Sequence, residues 1–136
     1  MKKKLTIKGL PPSYNQHFKI NYRSRQTYLS QAARKYKDKV KLACGCWADL
    51  KDDTVYLFKI YVEYWSQWKY KNKNIKKKDL QNLNKILIDA IFEAIGRDDS
   101  LVFEITERKM PFANSPKYEG EDKTVFEIEV MDTYVV

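Results

Sequence analysis

The sequence predicts an α+β fold, a small mixed β-sheet with two main helices packed on one side. Three observations carry that prediction. Thr54 to Trp65 alternates two sets of side chains along one long strand, with Tyr56, Phe58, Ile60, Val62 and Tyr64 forming the apolar set. Two other segments space their apolar residues by three and four, the mark of a helix with one buried face. The elements follow one another as strand, helix, strand, helix, strand, strand, which suits helices laid on one face of a sheet. With 136 residues, 43% of them apolar, the chain suffices for one cored domain over residues 1–136 and is too short for two.

Lys4 to Lys8 alternates apolar and polar residues and reads as a first strand, closed by Gly9 to Pro12. A loop with Pro11, Pro12, Ser13 and Asn15 follows, and Tyr28 to Leu29 extends briefly before Ser30 opens a helix as N-cap. That helix is predicted from about Gln31 to Trp47, with Ala33, Tyr36, Val40, Ala43 and Trp47 on one face and Arg34, Lys35, Lys37, Lys39 and Lys41 on the other. Asp52 and Asp53 form a turn into the long strand. Beyond it, Lys69, Lys71, Lys73, Lys76, Lys77 and Lys78 repel one another too strongly to form a core. Helical periodicity returns at Leu80, with Leu83, Leu87, Ala90, Ile91, Ala94 and Ile95 inward, and Gly96 stops it. Strands are predicted at Leu101 to Glu107 and Thr124 to Met131, separated by a Pro- and Gly-containing loop.

Twenty-six Lys and Arg against eighteen Asp and Glu give a net charge of +8, which favours a polyanionic partner, nucleic acid first. Met1 to Leu10 has no apolar stretch long enough for a secretory signal, and no window approaches the roughly eighteen apolar residues of a membrane span. The expectation is a soluble cytoplasmic protein with no membrane partner and no small-molecule cofactor. Cys44 and Cys46 lack a second ligand pair and His17 is the only histidine, so buried free thiols are expected in place of a zinc site.

The stretch Lys76 to Ser100 carries the chemistry. Asp79 precedes the helical periodicity at the N-cap position, where it either caps the helix or meets ligands at the helix's positive end. Asp98 and Asp99 lie in the turn after that helix. A helix of sixteen residues is about 24 Å long, so the two acidic points fall near its opposite ends. They meet only through a shorter helix, a bent connection or a second subunit. Lysines 69 to 78, with Trp65, Trp68 and Tyr70 among them, are expected to contact phosphates and stack on unpaired bases.

Lys78-Asp79-Leu80-Gln81-Asn82-Leu83-Asn84-Lys85, then Asp89-Ala90, then Asp98-Asp99-Ser100-Leu101-Val102 resembles the RusA family of Holliday junction resolvases. That family shows a basic residue, D-x-D-N-x-x-K, D-A and D-D-x-x-I/V. Gly9-Leu10-Pro11-Pro12-Ser13-Tyr14-Asn15 is similar to its G-x-P-x-S-x-N loop, and Tyr28-Leu29-Ser30 leads similarly into a basic amphipathic helix. The resemblance runs from about Lys4 to Val130. It implies a homodimeric, magnesium-dependent endonuclease, with manganese as a substitute ion, that makes paired nicks in four-way junction DNA during recombination and repair. Asp79 and Asp99 would be catalytic metal ligands, with Asp98 and Gln81 in the same ligand set and Lys85 the catalytic lysine. Lys73, Lys76, Lys77, Lys78, Asn82 and Asn15 would contact DNA.

Magnesium prefers hard oxygen ligands, and its charge acidifies a bound water and offsets charge on the transition state. Lys85 would add a point charge to that state or help deprotonate water. The sequence departs from the family at Gln81, where the second Asp of D-x-D is expected. Glutamine offers one neutral carbonyl oxygen on a side chain one methylene longer. Three outcomes follow: a working nuclease in which Gln81, Asp89 or Glu104 fills in, a weak one, or a junction-binding protein that does not cut. The non-cutting junction-binding protein is the reading from another class, and a basic RNA-binding module is a third. For the dimer surface the sequence offers the apolar strand Thr54 to Trp65 and the final strand.

Overall fold

The computed structural model describes residues 2–12, 18–45, 50–69, 75–76, 79–111 and 120–136. Its elements are β1 (Lys2–Lys8), β2 (Phe18–Asn21), β3 (Gln26–Leu29), α1 (Gln31–Cys44), β4 (Thr54–Trp65), α2 (Leu80–Ile95), β5 (Val102–Met110) and β6 (Lys123–Val135). A 3-10 turn at Asp99–Leu101 leads into β5. The predicted α+β class holds, with a mixed sheet in the order β1-β6-β4-β5. β4 pairs antiparallel with β6 and parallel with β5, so α2 is the crossover between two parallel strands.

β4 occupies the centre of the sheet because one of its faces is apolar at every second residue. Tyr56, Phe58, Ile60, Val62 and Tyr64 are all buried. β6 sets Phe126 and Ile128 opposite Val62 and Ile60, and β1 adds Ile7. Both helices cover this face. α1 contributes Ala33, Tyr36, Val40 and Cys44 to the core, and α2 contributes Leu83, Ile86, Leu87, Ala90, Ile91 and Phe92. Phe92 meets Phe58 edge to face at 5.3 Å, which fixes the C-terminal half of α2 over the start of β4. β4 has both edges paired and its apolar face under the helices, so that face offers no dimer surface.

The caps behave as the sequence predicts. The Ser30 hydroxyl accepts the Ala33 N–H at 3.2 Å. Gly96 takes the left-handed conformation at φ 70°, and the Arg97 N–H then returns to the Phe92 carbonyl at 3.1 Å. Cys44 is a buried thiol in no disulfide, while Cys46 and Trp47 lie outside the described residues. No described helix is long and apolar enough to cross a membrane.

Several boundaries differ from expectation: α1 ends at Cys44 with Gly45 as its C-cap, short of the predicted Trp47, and β1 begins at Lys2. β2 and β3 form a separate two-stranded hairpin, of which the sequence showed only Tyr28 to Leu29. β5 continues to Met110, and β6 starts at Lys123 and continues to Val135. In β6 a bulge shifts the register between Leu57 and Phe58 of β4, so the alternation breaks at Met131 and conceals the remaining length.

α1 and α2 are joined by charge as well as by core. The Glu93 carboxylate accepts Lys37 Nζ at 2.6 Å and pairs with Lys41 Nζ at 2.8 Å. The Lys37 hydrogen bond, and after it that of Lys41, holds the Glu93 carboxyl below its ordinary value. Because the folded pKa is depressed, this stabilisation is complete above the ordinary value of 4.5 and is lost as pH falls through the lower folded value. Acidification through that window is expected to lower the Tm of the parent protein more steeply than that of Glu93→Gln. With 46% of the Glu93 side chain exposed, the difference should not exceed about 1 kcal/mol. Parallel Tm–pH curves for the two proteins would show that the bridge contributes nothing.

Candidate active site

Asp79 stands at the N-cap of α2 with extended backbone, yet its carboxylate makes no capping hydrogen bond. The first turn of the helix contains no acid. The positive end of α2 therefore keeps its field, and Asp79 is not consumed by the ordinary structural use of an N-cap aspartate. Gln81 is exposed in that first turn, and Asn82 lies half-buried beside it.

Lys85 is one turn further along and pairs with Asp89 at 3.2 Å. Both side chains face solvent, where such an i,i+4 pair is worth about 0.3–0.5 kcal/mol and yields readily to a phosphate. The Lys76 N–H donates to the Trp68 carbonyl at 2.8 Å. Lys73, Lys77, Lys78 and Asn15 lie outside the described residues.

Asp98 and Asp99 are at the other end of the helix. The Asp98 carboxylate accepts the Ser100 N–H at 2.8 Å, and this hydrogen bond holds its carboxyl below the usual carboxylate range. Asp98 thus caps the turn, and Asp99 begins the 3-10 turn into β5. The ends of α2 are fixed by their neighbours. Near its start, the Asn84 amide donates to Glu107 on β5 at 3.1 Å. Near its finish, Phe92 meets Phe58, and Arg97 donates to the Lys51 carbonyl at 2.7 Å.

Sixteen helical residues, about 24 Å, thus separate Asp79 from the Asp98–Asp99 pair. Neither a shorter helix nor a bend brings them together. Among the described residues no group of three or more Asp, Glu, Cys or His side chains can hold a metal ion. The described acids of one chain do not by themselves fit a magnesium site.

Two further positions differ from the sequence reading. Trp68 is only 5% exposed, and its indole N–H is shared between the Tyr64 and Met110 carbonyls. It is a core residue, not a platform for bases. Trp65 is half-buried with Lys123 over its ring at 4.9 Å, and Tyr70 lies outside the described residues. The lysines had suggested an exposed loop, and they concealed one well-packed indole within it.

Glu107 was not anticipated. On the helix side of β5 it accepts the Tyr64 hydroxyl at 2.8 Å and the Asn84 amide at 3.1 Å, joining β4, β5 and α2 beneath the first turns of the helix. Burial, and then the Glu107 charge, pushes the Tyr64 phenol up, so it stays a hydrogen-bond donor. An acid on the helix-facing register of a strand is the signal that could have identified it.

No curated protein matches the sequence. Among solved structures the chain is similar to 2C-methyl-D-erythritol 2,4-cyclodiphosphate synthase from Plasmodium vivax. That alignment covers 99% of this chain and 96% of that one, at 9% identity and a TM-score of 0.40, too slight to assign a fold or an activity. The model of the family "Endodeoxyribonuclease RusA" matches residues 9–131, which include every acid at both ends of α2 and the lysine between them. The chain belongs to the RusA endodeoxyribonuclease family.

Proposed function

We propose that this protein is a homodimeric, magnesium-dependent endodeoxyribonuclease that makes paired nicks in four-way junction DNA, working in the cytoplasm in recombination and repair. The family match over residues 9–131 is the observation that carries the reading. The nuclease is one domain over residues 1–136, with manganese as a substitute ion.

The ligand set is Asp79, Gln81, Asp98 and Asp99, divided between two subunits. The separation of the acids along α2 supports this division. β5 supports it further, because its outer edge faces no other described strand and carries Phe103 at 67% and Ile105 at 40% exposure. An unpaired apolar edge is a template for a second copy. If two β5 strands pair antiparallel about a two-fold axis, residue 99 of one lies toward the partner's Met110 end, the end toward which the Asn84–Glu107 contact sets the start of that partner's α2. Lys85 then sits on the exposed face beside the assembled acids. Lys73, Lys76, Lys77, Lys78, Asn82 and Asn15 hold the DNA.

Phe103→Lys is expected to shift the protein from dimer to monomer in sedimentation and to abolish junction cleavage, with an unchanged circular dichroism spectrum. A Phe103→Lys dimer that still cuts would place the interface elsewhere. The activity itself is tested with a synthetic four-way junction and Mg²⁺ or Mn²⁺, alongside Asp79→Asn. Symmetric nicks from the parent and none from the variant are expected.

A second reading, a junction-holding protein that does not cut, is favoured by one observation. Gln81 supplies no charge where the family has a carboxylate. Absence of cleavage by the parent, with nicks from Gln81→Asp, would establish that reading.

A further inference from the structure

The positive charge of this chain is segregated. Its first 37 residues hold ten Lys and Arg and no carboxylate, whereas the remaining 99 hold sixteen against eighteen acids. The entire cationic excess therefore lies in β1, the β2–β3 hairpin, the first half of α1 and the segments joining them. The lysine run at 69 to 78 is balanced by acids elsewhere in the same portion.

Within that cationic portion the hairpin has no evident structural duty. Every residue from Lys19 to Tyr28 is exposed, and β2 and β3 pair only with each other among the described strands. The hairpin presents Lys19, Arg23 and Arg25 together with Ile20 at 54%, Tyr22 at 87% and Tyr28 at 44% exposure. An isolated two-stranded ribbon is marginal in water, and large apolar side chains left in solvent mark a contact surface.

Its tip is nonetheless shaped. The Asn21 side chain accepts the N–H groups of Arg23 at 3.0 Å and Ser24 at 3.4 Å, and Arg25 takes the left-handed conformation at φ 55°, which disfavours any residue with a Cβ. That turn sets Tyr22 between strand and tip with an arginine on each side of Ser24. An exposed aromatic ring on the same turn as two exposed arginines suits a base and its phosphates: the ring stacks, and the arginines hold anionic oxygens. In duplex DNA the base faces are already stacked, whereas a branch point exposes them.

We propose that the β2–β3 hairpin is a DNA-contacting arm that lays Tyr22 against an unstacked base at the branch point, while Lys19, Arg23 and Arg25 hold the flanking phosphates. The proposal rests on the reading of this protein as a branched-DNA nuclease.

The test uses a four-way junction with 2-aminopurine at the branch point, in EDTA so that binding is read without cleavage. The parent is expected to prefer the junction to a duplex of the same length and to change the 2-aminopurine fluorescence. Tyr22→Ala should weaken junction binding about tenfold, leave duplex binding within about twofold and remove the fluorescence change, and Tyr22→Trp should restore both. The double variant Arg23→Ala, Arg25→Ala should weaken junction and duplex alike and reduce the salt slope of log affinity by about two. Because Tyr22 is almost fully exposed, all of these proteins should keep the parent's Tm. A parent that binds junction and duplex equally would overturn the branched-DNA reading itself. A parent that prefers the junction, with Tyr22→Ala matching it in affinity and fluorescence, would overturn the arm and leave the nuclease reading in place.

Discussion

Asp79→Asn and Asp99→Asn are each expected to lower junction cleavage about a thousandfold, and the two variants co-expressed are expected to regain activity that neither has alone. The single losses follow from charge. Removing one carboxylate from a divalent-cation site forfeits several kcal/mol of transition-state stabilisation, and each 1.36 kcal/mol is a factor of ten. The rescue follows from position. In the proposed dimer each site takes Asp79 from one subunit and Asp99 from the other, since about 24 Å of helix separates them within a chain. In a mixed dimer one site carries both substitutions and the other carries neither. Random assembly makes about half of the dimers mixed, so about a quarter of all sites are intact. Each such dimer should nick one strand and leave the junction unresolved, a product distinct from the paired nicks of the parent. Differently tagged subunits purified through both tags isolate the mixed dimer for this assay. A mixed dimer as inactive as its parents would place Asp79 and Asp99 in the same subunit's site and overturn the divided arrangement.

That separation was already legible in the sequence, because helix length follows directly from residue count. The core was legible for a similar reason. β4 and α2 have long, regular periodicities, and Ser30 and Gly96 mark helix ends by chemistry that needs no tertiary partner. The apolar stripe of α2 is wider than its spacing suggested, since Ile86 and Phe92 are also buried. Phe92 meets Phe58 of β4, and nothing in α2 alone reveals that neighbour. The hairpin was missed because its turn contains neither glycine nor proline. An asparagine side chain and a left-handed arginine shape it instead, and no common turn pattern signals them. Trp68 differs for the opposite reason: the lysines around it are a strong local signal, while its indole N–H is held by the nearby Tyr64 carbonyl together with that of Met110, far away in sequence. The candidate site follows the same division. Residue types and the helix carrying them could be read, whereas the surface that would complete the site, Phe103 and Ile105 on the β5 edge, belongs to pairing between chains.

Gln81→Asp is expected to lower the Mg²⁺ concentration for half-maximal cleavage about tenfold and to raise the Tm. The substitution can be interpreted because Gln81 is exposed, so exchanging it disturbs no packing. Two electrostatic effects act at this position. An acid in the first turn of α2, which now has none, interacts favourably with the helix dipole and should stabilise the fold by about 0.3–1 kcal/mol whether or not a cation is present. A second carboxylate two residues from Asp79 also adds a negative, hard oxygen ligand where glutamine offers only a neutral carbonyl, and divalent-cation affinity rises with ligand charge. The effects separate experimentally, since Tm in EDTA reads the first and the Mg²⁺ dependence of cleavage reads the second. Gln81→Asn supplies the control for side-chain length, shortening the residue as aspartate does without adding charge, and should change neither quantity in the direction of Gln81→Asp. A higher Tm with an unaltered Mg²⁺ requirement would show that residue 81 stands on the helix end but outside the cation site, and the ligand set would then reduce to the acids at 79, 98 and 99.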